Sequence, residues 1–253
     1  MPQVSSKHPH KSGKPPSASS ARLNKVSRPD WPEIIVGLVT LAVVAIAGGV
    51  LLTQLRLSPV VFGLGLAALA VVAPLAAFAA AVLLRIRSLS AFGVRRVSWR
   101  WLLIGVGAGV VGFAVKGLVV MAYTAVTGNN SNPQTVYADS GSGGVLSLIL
   151  ATVFIGLLVP LGEELLFRGV LTNALLRYGP FVGVVGSTLI FALAHGINIV
   201  FPVAVVMGLI GAEMFRRSGS IWPGVIVHVV FNLPSILIQI GRASCRERVL
   251  LMV

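Results

Sequence analysis

Long apolar runs, broken at short intervals by Pro, Gly and clusters of charge, organise the chain from Glu33 onward. Runs of about 18–25 residues match the ~30 Å of hydrocarbon that a helix crosses at 1.5 Å per residue. The runs do not alternate between apolar and polar positions, which argues against the strands of a membrane barrel. The breaks predict helices at 33–55, 59–85, 100–127, 144–178, 180–198, 199–217 and 220–239. The predicted fold class is therefore all-α, a polytopic transmembrane helix bundle with seven visible spans.

Basic residues mark one end of this bundle. Arg85 to Arg100 flank one connection, Arg177 precedes another and Arg216–Arg217 a third, whereas the connection 128–144 contains no Lys or Arg. The positive-inside rule places these clusters and the basic N-terminus in the cytoplasm, with Arg56 as the single clear exception. Seven spans leave the C-terminus outside, which predicts that an eighth helix has been lost there.

The two ends of the chain differ from its middle. Residues 1–32 are rich in Ser, Pro and Lys and predict a disordered basic cytoplasmic tail, in which His8 and His10 are solvated. Ile240–Val249 reads IGRASCRERV, the translation of a common sequencing-adapter read, and contains the sole cysteine, Cys245. The predicted organisation is a tail at 1–32, a helix bundle at 33–239 and an artefactual segment at 240–253. A native basic tail is the alternative for the last segment.

Composition supports a membrane protein and argues against nucleic-acid binding. Hydrophobic residues make up 56% of the chain and charged residues 11%, against about 45–50% and 25% in soluble domains. The net charge of +13 comes from the tail and the helix ends, where it orients the protein. The expected partners are membrane lipid and a peptide or protein substrate at the membrane, and no nucleic acid.

Three polar groups interrupt the apolar runs. The stretch VPLGEELLFRG, Val159–Gly169, carries Glu163, Glu164 and Arg168, although an ionised group at bilayer depth costs roughly 2.5–3.5 kcal/mol or more. Glu164 lies 15 residues before Gly179, and His195 lies 15 residues after Pro180, so an antiparallel hairpin places both at one depth. His228 and Asn232 are spaced i, i+4 and share a helix face.

Two acids, two imidazoles and a carboxamide in one polar pocket can hydrolyse a substrate. A glutamate can take a proton from water, imidazoles can position that water, ligate a metal or donate to an oxyanion, and an amide can donate as well. Arg168 supplies Glu164 with a counter-charge. Simpler interpretations remain open: the acids and Arg168 form a structural ion pair, and each histidine packs against a backbone carbonyl. Glu213 and Lys116 are interpreted as structural, Glu213 as a partner of nearby arginines and Lys116 as snorkelling or paired.

These residues resemble the three motifs of the CPBP family of intramembrane proteases, the type II CAAX prenyl endopeptidases and their bacterial relatives, also called Abi proteins. EExxxR appears at Glu163–Arg168, FxxxH at Phe191–His195 and HxxxN at His228–Asn232. Their order and their placement in separate spans make the resemblance specific, and it covers about residues 92–239. Each motif alone is a weak signal.

The resemblance implies about eight helices around a conical cavity that opens to the cytosol and lipid. It implies that Glu163 and His195 activate water, that His228 and Asn232 stabilise the oxyanion, and that Glu164 and Arg168 support the site. A divalent metal such as zinc, held by Glu163, His195 and His228, is implied by one proposed mechanism and absent from another. The chain contains no HExxH pair, so the residues alone leave both open.

The predicted function is an intramembrane endopeptidase that cleaves a membrane-associated or lipidated peptide. The predicted location is a bacterial plasma membrane, since the composition is rich in Ala, Val and Gly, with the N-terminus in the cytoplasm. A non-catalytic membrane protein, of the bacteriocin-immunity or regulatory scaffold type, is the alternative. A transporter that uses Glu and His as a proton relay is a third hypothesis, which the lack of internal repeats disfavours.

Overall fold

The computed structural model describes residues 28–137 and 139–250, with side chains described as far as residue 238. Over these residues the chain is helical and contains no β-strand. The predicted all-α class is confirmed. The predicted tail up to residue 27, and residues 251–253 of the predicted artefactual segment, lie outside the described part.

Helices in the described part begin and end close to the limits that the sequence predicts. They are α1 (Trp31–Gln54), α2 (Pro59–Leu84), α3 (Trp99–Thr127), α4 (Val145–Tyr178), α5 (Val182–Ala194), α6 (Val200–Ser218) and α7 (Trp222–Leu250). Short 3₁₀ turns occupy the connections at Leu89–Phe92, Pro133–Tyr137 and Asp139–Gly141. The last helix runs to Leu250, past its predicted end at 239, because the residues after 239 include no Pro and several good helix formers.

Four helices, α1 to α4, are long and apolar enough to cross a membrane. Two other apolar stretches, Val182–Ala194 and Trp222–Ile238, are shorter. At 1.5 Å per residue, α5 reaches about 20 Å, which is less than the ~30 Å of a hydrocarbon core. The chain therefore turns after α5 at a depth inside the bundle, and His195 is the residue at that turn.

Helix α4 is irregular where it carries the acidic motif. Two π-helical stretches, Phe154–Leu158 and Leu165–Thr172, flank the α-helical turn Val159–Glu164. Pro160 in that turn has no N–H to donate. A π-helical stretch changes which residues share a helix face, and such stretches are frequent at functional sites.

Glycines bring α3 and α7 into close contact. Cβ atoms added at Gly105, Gly109 and Gly112 would meet α7 or α6 at about the distance of a clash, for example 2.7 Å from Cβ of Val230 at Gly109. All three glycines are buried. These glycines let the helices approach one another closely. This packing fixes the position of α7, which carries the third motif.

Ion pairs join the helices at the end of the bundle that carries the basic clusters. Asp30 caps α1 and also contacts Arg177. Glu33 accepts two hydrogen bonds from Arg85, at 2.6 and 2.9 Å. The connection 128–144 lies at the opposite end of α3 and α4. We call these two ends the basic end and the loop end.

Candidate active site

A glutamate lies between two imidazoles at the centre of the bundle. One carboxylate oxygen of Glu163, on α4, is 3.8 Å from Nε2 of His195, and the other is 3.7 Å from Nε2 of His228. His195 follows the last residue of α5 and His228 lies on α7, so three helices supply the cluster. Both separations exceed the ~3.2 Å of an ordinary N–H···O bond. The three side chains therefore face one another without a direct hydrogen bond.

Each imidazole is oriented through its other ring nitrogen. Nδ1 of His195 is 2.9 Å from the carbonyl oxygen of Phe191, which can only accept, so this contact assigns the proton to Nδ1. Nδ1 of His228 is 3.2 Å from Oε1 of Glu164. The ring of Phe191 packs edge-on against both imidazoles, at centroid distances of 4.7 and 6.0 Å. These contacts direct both Nε2 atoms toward the Glu163 carboxylate.

Glu164 and Arg168 form an ion pair behind this cluster. Oε1 of Glu164 is 3.1 Å from Nη2 of Arg168, and both side chains are fully buried. The guanidinium lies over the ring of Phe191, with Cζ 4.8 Å from the ring centre. Oε2 of Glu164 and the three guanidinium nitrogens have no hydrogen-bond partner among the described residues. The pair is therefore held mainly by its mutual attraction and by His228.

Two glycines on other helices make room for the buried pair. A Cβ at Gly224, on α7, would overlap Oε2 of Glu164 and lie 3.3 Å from its Cδ. A Cβ at Gly211, on α6, would lie 2.7 Å from Nη2 of Arg168. Neither charged group can retreat, because both are enclosed on every side. The backbone of α6 and α7 thus sets the position of Glu164 and, through it, of His228.

A cavity of about 760 Å³ lies beside the cluster. Four of the six predicted catalytic residues line it, namely Glu163, His195, His228 and Asn232. Asn232 follows His228 by one turn of α7 and has no hydrogen-bond partner among the described side chains. Glu164 and Arg168 are not part of the lining. The predicted site therefore divides into a layer that a substrate can reach and a buried layer behind it.

The spatial pairing differs from the one that residue counting suggests. Counting from the Gly179–Pro180 turn pairs Glu164 with His195, whereas the structure places Glu163 near His195 and Glu164 near His228. Adjacent residues of a helix point about 100° apart, so the two acids face different neighbours. The two acids and His195 lie at a common depth, as expected. The residue count could not tell which of the two acids faces His195.

The connection between α3 and α4 forms one wall of the cavity. Asn130, Asn132, Gln134 and Tyr137 are among the lining residues. Ser140 lies against Gly63 of α2, which holds the end of this loop to the bundle. The family resemblance implies a cavity that opens to the cytosol, but this wall is at the loop end, away from the basic clusters. The loop turns back over the helices to reach the cavity. The residue patterns of α3 and α4 do not predict the path of the loop between them.

Tyr137 shows how close this wall lies to the cluster. Burial, and then the negative charge of Glu163, raise the pKa of the Tyr137 phenol. Tyr137 has no motif around it, so a lone tyrosine in a polar loop gives no sequence signal for its place in the cavity.

Lys116 and Ser235 also line the cavity, and their contact was not predicted from the sequence. Nζ of Lys116, on α3, donates a hydrogen bond of 2.8 Å to Oγ of Ser235, on α7. Lys116 is therefore hydrogen-bonded to a neutral hydroxyl, and among the described residues no acid forms an ion pair with it. A spacing signal exists for Ser235: it follows His228 by seven residues and so shares its helix face.

The three predicted metal ligands have the chemistry that zinc prefers but are not arranged as a ready ligand set. Glu163, His195 and His228 offer one carboxylate and two imidazoles whose Nε2 atoms face inward. Within the described residues, no group of three or more His, Cys, Asp or Glu side chains has the geometry to hold a metal ion. We therefore assign no reaction step to a metal.

Comparison with known proteins identifies one segment of the chain. Residues 145–234 match the family model described as Type II CAAX prenyl endopeptidase Rce1-like. The match spans less than half of the chain and includes all three motifs, and over this segment it confirms the resemblance to the CPBP family. No curated protein and no solved structure matches the chain. The match and the apolar helices indicate an integral membrane protein whose residues 145–234 are similar to the CAAX-type proteases.

Proposed function

We propose that this chain, whose residues 145–234 match the type II CAAX prenyl endopeptidase family, is an intramembrane endopeptidase that uses an activated water. One observation supports the proposal above the others: the Glu163 carboxylate lies within 4 Å of two inward-facing imidazoles in one cavity. A carboxylate and two lone-pair nitrogens are three acceptors, and acceptors that face one another are stabilised by a donor between them. A water molecule is such a donor.

In the proposed mechanism, Glu163 is the general base. It removes a proton from the water while the water oxygen attacks the carbonyl carbon of the substrate. The water donates its other hydrogen to Nε2 of His195 or of His228, and this second contact holds its lone pair toward the substrate. The C–N bond then breaks, and the protonated Glu163 returns its proton to the leaving amine. The proton count is balanced, because the carboxylate is regenerated at the end.

The negative charge that develops on the carbonyl oxygen needs a donor. Asn232 lines the cavity one turn from His228 and carries a free amide that can donate to it. Loss of a single oxyanion donor typically lowers kcat by about 10²–10³-fold.

Glu164 and Arg168 are positioning residues in this proposal. Glu164 accepts from Nδ1 of His228, which fixes the ring so that Nε2 faces the water. Arg168 neutralises the buried charge of Glu164. Neither residue reaches the cavity, so neither is expected to touch substrate.

A divalent metal such as zinc is a variant of the same proposal. Glu163, His195 and His228 would hold it, and it would supply Lewis-acid polarisation of the water or the carbonyl. Glu164 would then orient a metal-binding imidazole through its Nδ1 atom. Metal analysis of the purified protein, with activity measured before and after chelation, separates this variant from the metal-free one.

The proposed substrate is a membrane-associated or lipidated peptide. The cavity lies among apolar helices, and its lining includes loop amides that suit a peptide backbone. We place the protein in a bacterial plasma membrane, with its N-terminus in the cytoplasm.

The test is peptide cleavage by the full chain in lipid nanodiscs. A library of quenched fluorescent peptides, with and without an attached prenyl group, is incubated with the wild type and with Glu163→Gln. Glutamine has the shape of glutamate but cannot accept the proton. We expect the variant to lose cleavage by at least 10³-fold while its thermal unfolding midpoint stays within a few degrees. Asn232→Ala is expected to lower kcat with little change in KM.

Glu213→Gln is the matched control, because Glu213 pairs with Arg216 away from the cavity. It should retain wild-type cleavage. Cleavage by Glu163→Gln at the wild-type rate would remove the proposed mechanism. If no peptide is cut, and cells that carry Glu163→Gln behave like cells that carry the wild-type protein, the protein is non-catalytic.

A further inference from the structure

The cavity contains a lysine that the hydrolytic mechanism does not use. Lys116 lies near the middle of α3, and its side chain turns into the cavity. A cation at this depth is costly, by roughly 2.5–3.5 kcal/mol or more, unless it is paired or reaches the interface. A snorkelling lysine extends toward the membrane surface, whereas Lys116 points sideways to α7. Its position therefore calls for another explanation.

The contacts of Lys116 favour the charged ammonium. Nζ donates to Oγ of Ser235 at 2.8 Å and lies 5.1 Å from the ring centre of Phe231. A hydrogen-bond donor role and an aromatic face both stabilise a cation. A neutral lysine acting as a base for Ser235 is therefore disfavoured. Since Oγ of Ser235 accepts from the ammonium, its own hydrogen is free to donate.

The ammonium has no anionic partner of its own. Among the described residues, every ion pair involves Arg or His, and none includes Lys116. Among the described residues that line the cavity, Lys116 is the only Lys or Arg, and Glu163 is the only acid. Two donors, an ammonium and a hydroxyl, thus lie side by side at the cavity, and no described acid is paired with the ammonium. That pair matches the two oxygens of a carboxylate.

We propose that Lys116 and Ser235 form a subsite that binds a carboxylate of the peptide substrate. This inference rests on the proposed peptidase function and names a feature of its substrate. Ser235 lies about 10 Å from His228 along α7, at 1.5 Å per residue. When the carboxylate of a peptide lies at Lys116, a peptide bond a few residues from that carboxylate lies near Glu163. The carboxylate comes from the C-terminus of the peptide or from an acidic side chain.

A lipid phosphate is a poorer ligand for this subsite, because Lys116 lies too deep in the membrane. Lys116 is 11 residues before the end of α3 at Thr127, which corresponds to about 16 Å along the helix. Helix α3 is about 44 Å long, so it exceeds a ~30 Å hydrocarbon core by about 7 Å at each end when centred. The ammonium then lies roughly 10 Å inside the hydrocarbon, below the level of headgroup phosphates.

Binding is measured with the full chain carrying Glu163→Gln, so that the result does not depend on cleavage. The probes are dansylated nonapeptides of Ala and Leu with a free C-terminal carboxylate, with a C-terminal amide, or with an amide and a penultimate Glu. Fluorescence anisotropy in phosphatidylcholine nanodiscs gives the Kd of each. We expect at least one carboxylate peptide to bind tenfold or more tighter than the neutral amide. Tighter binding of the peptide with the free C-terminus identifies the C-terminal carboxylate as the ligand, and tighter binding of the peptide with the penultimate Glu identifies an acidic side chain.

Added substitutions assign the preference to the subsite. Lys116→Met should abolish the tenfold preference, Lys116→Arg should retain part of it, and Ser235→Ala should reduce it a few-fold. Arg56→Met is the charge-matched control, because Arg56 is exposed and outside the cavity, and it should leave the preference unchanged.

Three results would overturn the subsite. Carboxylate and amide peptides bind alike, or the preference survives in Lys116→Met, or phosphatidylglycerol in the nanodisc displaces the carboxylate peptides from the subsite. A chain that shows the preference but cuts no peptide would refute the proposed function and leave the subsite in place.

Discussion

Removal of Arg168 tests whether the buried ion pair holds the site together. Both side chains of the pair are fully buried, and Oε1 of Glu164 lies 3.1 Å from Nη2 of Arg168. At an effective dielectric constant of about 20, two unit charges at this distance attract by about 5 kcal/mol. Breaking a buried pair by removing one partner typically costs roughly 3–5 kcal/mol, because the other charge is left uncompensated. We expect Arg168→Met to lower the free energy of unfolding by that amount.

A double substitution separates charge from packing. Glu164→Gln combined with Arg168→Met removes both charges and leaves no uncompensated ion. We therefore expect the double variant to be more stable than Arg168→Met alone, by about 2 kcal/mol or more. Unfolding is followed by circular dichroism in mixed micelles with rising SDS.

The exposed pair of Glu213 and Arg216 provides the control. Both side chains are about one-third exposed, at 30% and 32%. Exposed pairs contribute only about 0–1 kcal/mol, so Arg216→Met should change stability little. A double variant that is no more stable than Arg168→Met would refute the argument that an uncompensated charge dominates the loss.

One further substitution tests the glycine that packs against Glu164, and a second tests the charge of Asp30 at the start of α1. Gly224→Ala places a methyl group against the Glu164 carboxylate, which must shift and release His228; we expect cleavage to fall about 10–100-fold with KM unchanged. The Cβ that Gly107→Ala adds has no atom within 4 Å, so this variant should cleave at the wild-type rate. Equal rates for both variants would contradict the role of Gly224 in holding the Glu164 carboxylate. The second change is Asp30→Asn at the start of α1. The N–H of Trp31, and less strongly Arg177, hold the pKa of Asp30 below its usual 3.8, so the folded state favours the carboxylate. Its stabilising contribution is present above pH 3.8 and disappears as the pH falls through the lowered pKa. Unfolding midpoints of wild type and Asp30→Asn should therefore differ at pH 7, and the difference should shrink as the pH falls below 3.8; a constant difference would show that the charge is not responsible.

Helix limits were predictable because they depend on local chemistry. Ser58–Pro59 opens α2, and Gly128 and Gly219 end α3 and α6 in the left-handed conformation that glycine tolerates best. Apolar run length then separates the helices from their connections. The predicted end of α7 at 239 was too early, because the lipid-compatible composition ends there while the helix formers after it continue the helix.

The members of the candidate site were also predictable, as polar residues in apolar helices. Their division into two layers was not. Glu163 and Glu164 are adjacent and chemically identical, and only the packing of α4 against α5 and α7 turns one to the cavity and buries the other. The pairing of Lys116 with Ser235 has the same origin, since 119 residues separate them.

The sequence by itself determined which segments are helical, which of them suit lipid and which polar residues must be accommodated inside, because helix propensity and burial cost act residue by residue. The tertiary structure alone decided which oxygen faces which nitrogen, which charge is hidden, and that the loop after α3 returns to wall the cavity. Those outcomes depend on the contact of helix faces and on glycine-sized gaps between helices distant in the chain.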